Sequence, residues 1–512
     1  MNALARPLPR SAGPEEVLVI GAGIGGLMTA LALSGTGRRI RLLERDPPPP
    51  AEDPDAVFEG WRRPGCTQMR QSHAFLARLR TIIRGRHPAL LEEMRAAGVR
   101  EITLEAMLTP YQRPRYRPRP EDEELTILTS RRTSLELLIR RYVERLPDAT
   151  IESGVRVERL VAAMAPDGIV DVAGVEAGGR HWFADVVVDA SGRRGTFLAQ
   201  LEAIGARIPD ESEPAGILYF TRHYRLRPGQ VEPSRHDHPP GTGDLGYLKF
   251  GVFPGDNGCF SITLAVPEIE AELRRAVLDP DVFQAITQRL PGLKPWTDPD
   301  RAEPRGKVQG MGDLAGHWRD LLPGGRPVAR GYFPLGDAVV RTNPLYGRGC
   351  SFAAVAAEAL RWALDSSTDP MARQLAYHRR LRAELRPYFD DMRAQDRVAI
   401  KRARAALIPG HRPRWRARLL RSFFDDGVRI ALRKDVDLLR QAMRGFHMLE
   451  DPRAWLKRPG NLARVLWHWA LGPRRNRAHY PPEPGPPRDA LLAAIGVDGM
   501  AAVRRAAVLE PA

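Results

Sequence analysis

Lysine is scarce in this chain of 512 residues: six of its 78 basic side chains are lysine, at positions 249, 294, 307, 401, 434 and 457. The net charge of +16 therefore rests on arginine, a bias that a GC-rich genome produces without selection for phosphate contacts, so no nucleic-acid partner is expected. Cysteine is scarcer still. Cys66, Cys259 and Cys350 stand far apart, which excludes a C-x-x-C or C-x4-C redox centre and any cysteine metal site, and fits a reducing cytoplasm. Long apolar runs are lacking as well. Val17 to Leu33 comes nearest, but four glycines interrupt it and Glu15 and Glu16 precede it, so neither a membrane span nor a signal peptide is expected.

The composition that remains, 43% hydrophobic and 27% charged, is that of a soluble globular protein with two or three domains. The charge is unevenly spread: residues 401 to 512 hold 23 basic against 10 acidic side chains, so most of the excess sits in the last fifth.

"EEVLVIGAGIGGLMTALALSGTGRRIRLLERD" predicts strand, tight turn, helix and strand, a βαβ unit ending at Glu44. Helices are predicted from His73 to Gly98 and from Ser134 to Leu146, the second with Ser130 or Thr133 as its cap. From Gly216 the pattern alternates, and "YLKFGVFPGDNGCFSITLAV" predicts a β-hairpin. A helix over Cys350–Leu364 follows, then helices over Arg373–Leu407, Trp415–Leu449 and Leu462–Trp469. The proline-rich "YPPEPGPPRD" separates a small terminal helix. The fold expected is α/β: a discontinuous Rossmann-like domain (15–75, 125–204 and 326–365), an inserted antiparallel substrate domain (76–124 and 205–325), and a helical, basic C-terminal region (366–512).

Gly21, Gly23 and Gly26 form G-x-G-x-x-G between the first strand and helix. Gly21 makes the turn, Gly23 bares the backbone to a pyrophosphate, and Gly26 lets helix and strand pack closely. Glu44, at the end of the next strand, suits a ribose hydroxyl and disfavours a 2′-phosphate. A second motif, "PLGDAVVRTNPLYGRG", decides the ligand. NAD needs no such motif some 300 residues downstream, whereas FAD needs a seat for its ribityl chain and ring. Asp337 supplies a carboxylate for ribityl hydroxyls, Gly347 and Gly349 bare the backbone, and the helix beginning near Cys350 turns its positive end to the ring.

Taken in order, "GAGIGG" with "LLER", "TSRRTSLELLIRRYVERLP", "ADVVVDASGRRG" and "PLGDAVVRTNPLYGRG" resemble the FAD-dependent monooxygenases of the p-hydroxybenzoate hydroxylase superfamily, over residues 15 to 365. "PGCTQMRQSHAFLARLR" is similar to a subgroup that includes epoxidases and hydroxylases of natural-product pathways. The resemblance implies FAD, NADH or NADPH as reductant, O2, and hydroxylation or epoxidation of a lipophilic small molecule through a flavin C4a-hydroperoxide. It also implies that Arg45 and Arg131, or Arg132 beside it, reach the adenosine and pyrophosphate side. Many relatives have an Asp-Gly pair where this chain has Asp189-Ala-Ser-Gly192, which leaves the choice of reductant open.

His73 reads either as a hydrogen-bond donor at the flavin edge or as a cap of its own helix. Tyr219 and His223 share one face of a strand and Arg222 the other, and each is a candidate for the substrate pocket. Cys350 reads as a small packing residue. Flavin halogenases share the architecture, but this chain has no lysine before Lys249 and no W-x-W-x-I-P segment. A reductase resembling geranylgeranyl reductase, which delivers hydride without oxygen, is the rival enzyme reading. The tail, with Trp415, Trp455, Trp467 and Trp469 among arginines, reads as a peripheral membrane contact or as a solvated helical cap over the pocket.

Overall fold

Val17, Leu18, Val19 and Ile20 are each no more than 4% exposed, so both faces of the first strand must be covered, as in the middle of a parallel sheet. A computed structural model, which describes residues 13–50, 53–234 and 239–509, puts it there. The chain runs through Glu16–Ile20 (β1), Ile24–Leu33 (α1), Arg39–Glu44 (β2), Pro54–Gly60 (α2), Ala77–Arg86 (α3), Pro88–Ala96 (α4) and Arg132–Glu144 (α5). Ala149–Ser153 (β3) and Val186–Asp189 (β4) follow, then Ile217–Leu226 (β5), Lys249–Pro254 (β6), Cys259–Pro267 (β7) and Ala302–Met311 (β8). It returns at Tyr332–Pro334 (β9) and ends in helices, among them Gly349–Ser366 (α6), Pro370–Ala406 (α7), Trp415–Ser422 (α8) and Pro459–Ala470 (α9).

The main sheet has the order β9-β4-β1-β2-β3, all parallel, with Val19 opposite both Val188 and Leu42. Packing of α1 and α6 beside it forms the largest core. The second sheet, Thr242–Asp244 then β6-β7-β5-β8, is antiparallel throughout. One face buries Phe220, Tyr224, Phe260 and Leu264 in a core of its own, and the opposite face carries Tyr219, Thr221 and His223. The fold is thus the expected α/β arrangement, with an antiparallel sheet between strands of a parallel one and a helical C-terminal region.

Several boundaries differ. The single helix expected from His73 to Gly98 is broken: Ala74–Phe75 pairs as a strand, and Pro88 ends α3 by restricting His87. Leu79, Ile83, Leu90, Leu91 and Met94 of α3 and α4 lie in the main core. Tyr377, Leu381, Leu385, Phe389 and Met392 of α7 join the same core. Asp435 divides the expected Trp415–Leu449 helix, because its carboxylate caps a new helix at Asp437 and Leu438. No described helix is long and apolar enough to cross a membrane.

Candidate functional site

The three glycines between β1 and α1 have separate geometric reasons. Gly21 has φ of +99°, where other residues are strained. A Cβ on Gly26 would stand 1.9 Å from the Gly21 carbonyl oxygen, so helix and turn can pack only with glycine there. A Cβ on Gly23 would meet nothing within 4 Å, and no side chain caps α1, so the helix begins against open space.

Glu44 is buried behind this turn. Its carboxylate accepts from Ala22 N (2.8 Å) and Asp46 N (2.9 Å) and pairs with Arg63. Arg63, which no motif marked, also pairs with Glu136 at 2.6 Å and stands 3.5 Å from Asp46. Arg45 is exposed, its guanidinium 3.9 Å from Asp46.

Arg131 and Arg132 point to different partners. Arg131 is bound by Asp256, from the β6–β7 turn, and by Asp55 at 2.6 Å, so its guanidinium is already committed to carboxylates. Arg132 instead reaches Glu136, the His73 ring (3.1 Å) and the Cys350 thiol (3.8 Å) at the start of α6. The side chain that reaches the start of α6 is therefore Arg132, a correction to the choice of Arg131.

Asp337 follows β9 in a single 3-10 turn. Burial pushes its carboxyl above the usual range, against the pull of Arg341, Arg132, Arg193 and Arg319. Among the described residues no donor hydrogen-bonds to it, whereas Asp189 accepts from the Tyr332 hydroxyl (2.6 Å) and Ser191 N. Gly347 has φ of +62°, and Gly349 opens α6, which no side chain caps. Cys350 is buried, which raises its thiol pKa and keeps it protonated.

The His73 ring is spent. A carbonyl can only accept and a guanidinium only donate, so Nδ1–H donates to the Gln71 carbonyl (2.9 Å) and Nε2 accepts from Arg132. Burial, aided by the Arg132 charge, lowers its pKa to about 3. His73 thus has no free N–H for a flavin edge, and it lies before a strand and caps no helix; both expectations are corrected.

The Tyr219 hydroxyl donates to Asn343 Oδ1 (2.6 Å), and Asn343 Nδ2 and the Tyr346 hydroxyl both donate to Asp396 Oδ1 (2.9 and 3.0 Å). These bonds tie β5, the loop before α6 and α7 together. Arg222 turns away and donates to the Pro280 carbonyl behind the sheet, which removes it from any pocket on the Tyr219 face. His223 Nε2–H donates to the Arg70 carbonyl (3.1 Å), leaving Nδ1 without a partner on a 220 Å³ cavity shared with Asp55, Phe58, Arg131 and Cys259.

No protein-family model matches the sequence. A curated relative, protein Rv3254 of Mycobacterium tuberculosis, is 28% identical over 399 residues, covering 71% of this chain and 75% of that one. The flavin-dependent brominase Bmp2 superposes with a TM-score of 0.58 at 16% identity, over 89% of this chain and 99% of its own. The anhydrotetracycline hydroxylase OxyS of Streptomyces rimosus gives 0.52 at 20% identity, over 86% and 76%. This is the fold of the FAD-dependent monooxygenases and halogenases.

Motif reading did not point to Arg63, Asp256, Asn343 or Asp396. Each acts through a partner remote in sequence. Only the bend residues "PGDNG" hinted at Asp256, and they signal a turn, not a carboxylate delivered to another domain.

Proposed function

We propose that the chain is an FAD-dependent monooxygenase that hydroxylates or epoxidises a lipophilic, electron-rich small molecule, with NADH or NADPH as reductant and O2 as oxidant. One pairing of observations carries the reading: α1 begins uncapped against open space at Gly23, and the partly exposed carboxylate of Asp337 meets no hydrogen-bond donor among the described residues. A flavin dinucleotide has what both lack, a pyrophosphate for the helix end and ribityl hydroxyls for the acid.

In this reading bound FAD supplies electron transfer from the nicotinamide and activation of O2. The protein's part is to hold and enclose. Glu44 takes the adenosine ribose if Arg63 yields one oxygen; Arg45 approaches the diphosphate side; Arg132 stands at the start of α6; Gly347 and Gly349 give backbone access. The uncapped start of α6 stabilises negative charge on the ring. The Tyr219 face of the second sheet covers the site, and the neutral His73 positions Arg132. Brominase-type chemistry is disfavoured because the first lysine, Lys249, lies on β6 and pairs with Asp244 at 2.5 Å.

Titration with FAD tests the site. Asp337→Asn is expected to weaken binding about tenfold or more, since hydrogen bonds to a charged group contribute about 1.5–3 kcal/mol. Unchanged affinity would remove Asp337 from the seat. Turnover under isotopically labelled O2 with aromatic and polyene substrates tests the reaction. Label in the product is the expected result, and anaerobic gain of two hydrogens would establish the reductase reading instead.

A further inference from the structure

Helix α8 buries none of its residues. Trp415 is 62% exposed and Leu420 59%, with Leu419 and, one turn on, Phe424 about half exposed (49% and 48%). A helix that capped a pocket would bury one face; α8 buries none. Its neighbour α9 turns Val465 and Trp469 inward, Trp469 Nε1 donating to Ser422 Oγ at 3.0 Å and stacking edge-on against Phe423. The other side of α9 exposes Leu462, Leu466 and Trp467. Two helices that meet at Ser422 and Trp469 thus both leave large apolar side chains in water, more than an ordinary surface scatters singly.

The charge on α8 has one sign. His411 to Arg421 contains Arg412, Arg414, Arg416, Arg418 and Arg421 and no acid. Among the described residues the first four pair with no carboxylate, and Arg421 shares Asp425 with Arg429. Elsewhere the fold pairs such side chains closely, as with Arg386 and Glu211 or Arg440 and Asp122.

We propose that α8 and α9 form a docking surface for anionic phospholipid bilayers. Tryptophan and leucine suit the boundary between headgroups and acyl chains, and guanidinium groups pair with headgroup phosphates. A second copy of the chain would bring the unpaired arginines against one another. Nucleic acid would use the arginines and leave Leu419, Leu420, Phe424 and Trp467 without a role. The inference does not rest on the flavin reading.

The test uses the full chain, vesicles of phosphatidylcholine with and without phosphatidylglycerol, and co-sedimentation at low and high salt. Expected are retention on the anionic vesicles only and release by salt. Arg416→Glu with Arg418→Glu should lower the partition coefficient about tenfold or more, at about 1 kcal/mol for each basic charge near such a surface. Leu420→Glu should lower it independently. Both variants change exposed side chains, and circular dichroism checks their fold. No retention, equal retention on neutral vesicles, or retention indifferent to both variants would overturn the proposal. So would self-association that Leu420→Glu abolishes in protein that ignores vesicles, which would assign the surface to a second copy.

Discussion

Asp396 sits behind Asn343 and Tyr346, and burial raises its carboxyl to about 6 against the hydrogen bonds those two donate and the charges of Lys249 and Arg348. A raised carboxyl favours the protonated form in the folded state. Its contribution to stability is full below the unfolded pKa near 4 and is lost as pH rises through about 6. The rise from the ordinary carboxyl value to about 6 corresponds to about 3 kcal/mol. Denaturant titrations between pH 4 and 7 should show this decline in the parent and a flatter profile in Asp396→Asn. Arg63 presents the opposite case, a cation among Glu44, Asp46 and Glu136. Arg63→Met leaves those buried carboxylates facing one another and should cost about 3–5 kcal/mol in urea unfolding. A loss below 1 kcal/mol would mean that the acids take up protons at little cost.

The turn between β1 and α1 makes two glycines separable by experiment. Gly26→Ala drives a methyl into the Gly21 carbonyl and should lower the yield of folded protein. Gly23→Ala meets no atom and has an ordinary φ of −80°, so it should fold normally yet bind FAD poorly, as read by retained flavin absorbance. This unit was legible in the sequence because its signals are local: an apolar run, glycines at fixed offsets, an acid at the next strand end. The β6–β7 hairpin was legible for the same reason, Asn257 and Gly258 taking the positive φ that the turn needs. The start of α5 was not. Ser130 and Thr133 were the local candidates for its cap, but Asp256 occupies the helix end from another sheet, accepting from Arg131 N (2.8 Å) and the Ser134 hydroxyl (2.7 Å). Capping in trans leaves no trace in the capped segment, and the same holds for the Asn343–Asp396 link.

Across the whole molecule, Asp256 and the Tyr219–Asn343 bond join the second sheet at separate points to the start of α5 and to the loop before α6. Asp256→Ala leaves the buried Arg131 with Asp55 alone. It should raise hydrogen exchange both in the β6–β7 hairpin and at the start of α5, while the centre of the main sheet stays protected. Exchange raised in only one of the two would deny the bridge. The concentration of positive charge in the last fifth was plain from composition, whereas which arginines find carboxylates depends on packing that no single sequence displays.

The order of strands in the main sheet also sets a timetable for synthesis. Its edge strand, β9, comes more than 100 residues after its partner β4, with the entire second sheet between them. On the ribosome the second sheet, whose strands lie within about 100 residues of one another, is therefore complete before the parallel sheet can close. Val186–Asp189 waits as an exposed edge of buried-type residues, and a nascent chain halted before residue 332 presents that edge to any other strand.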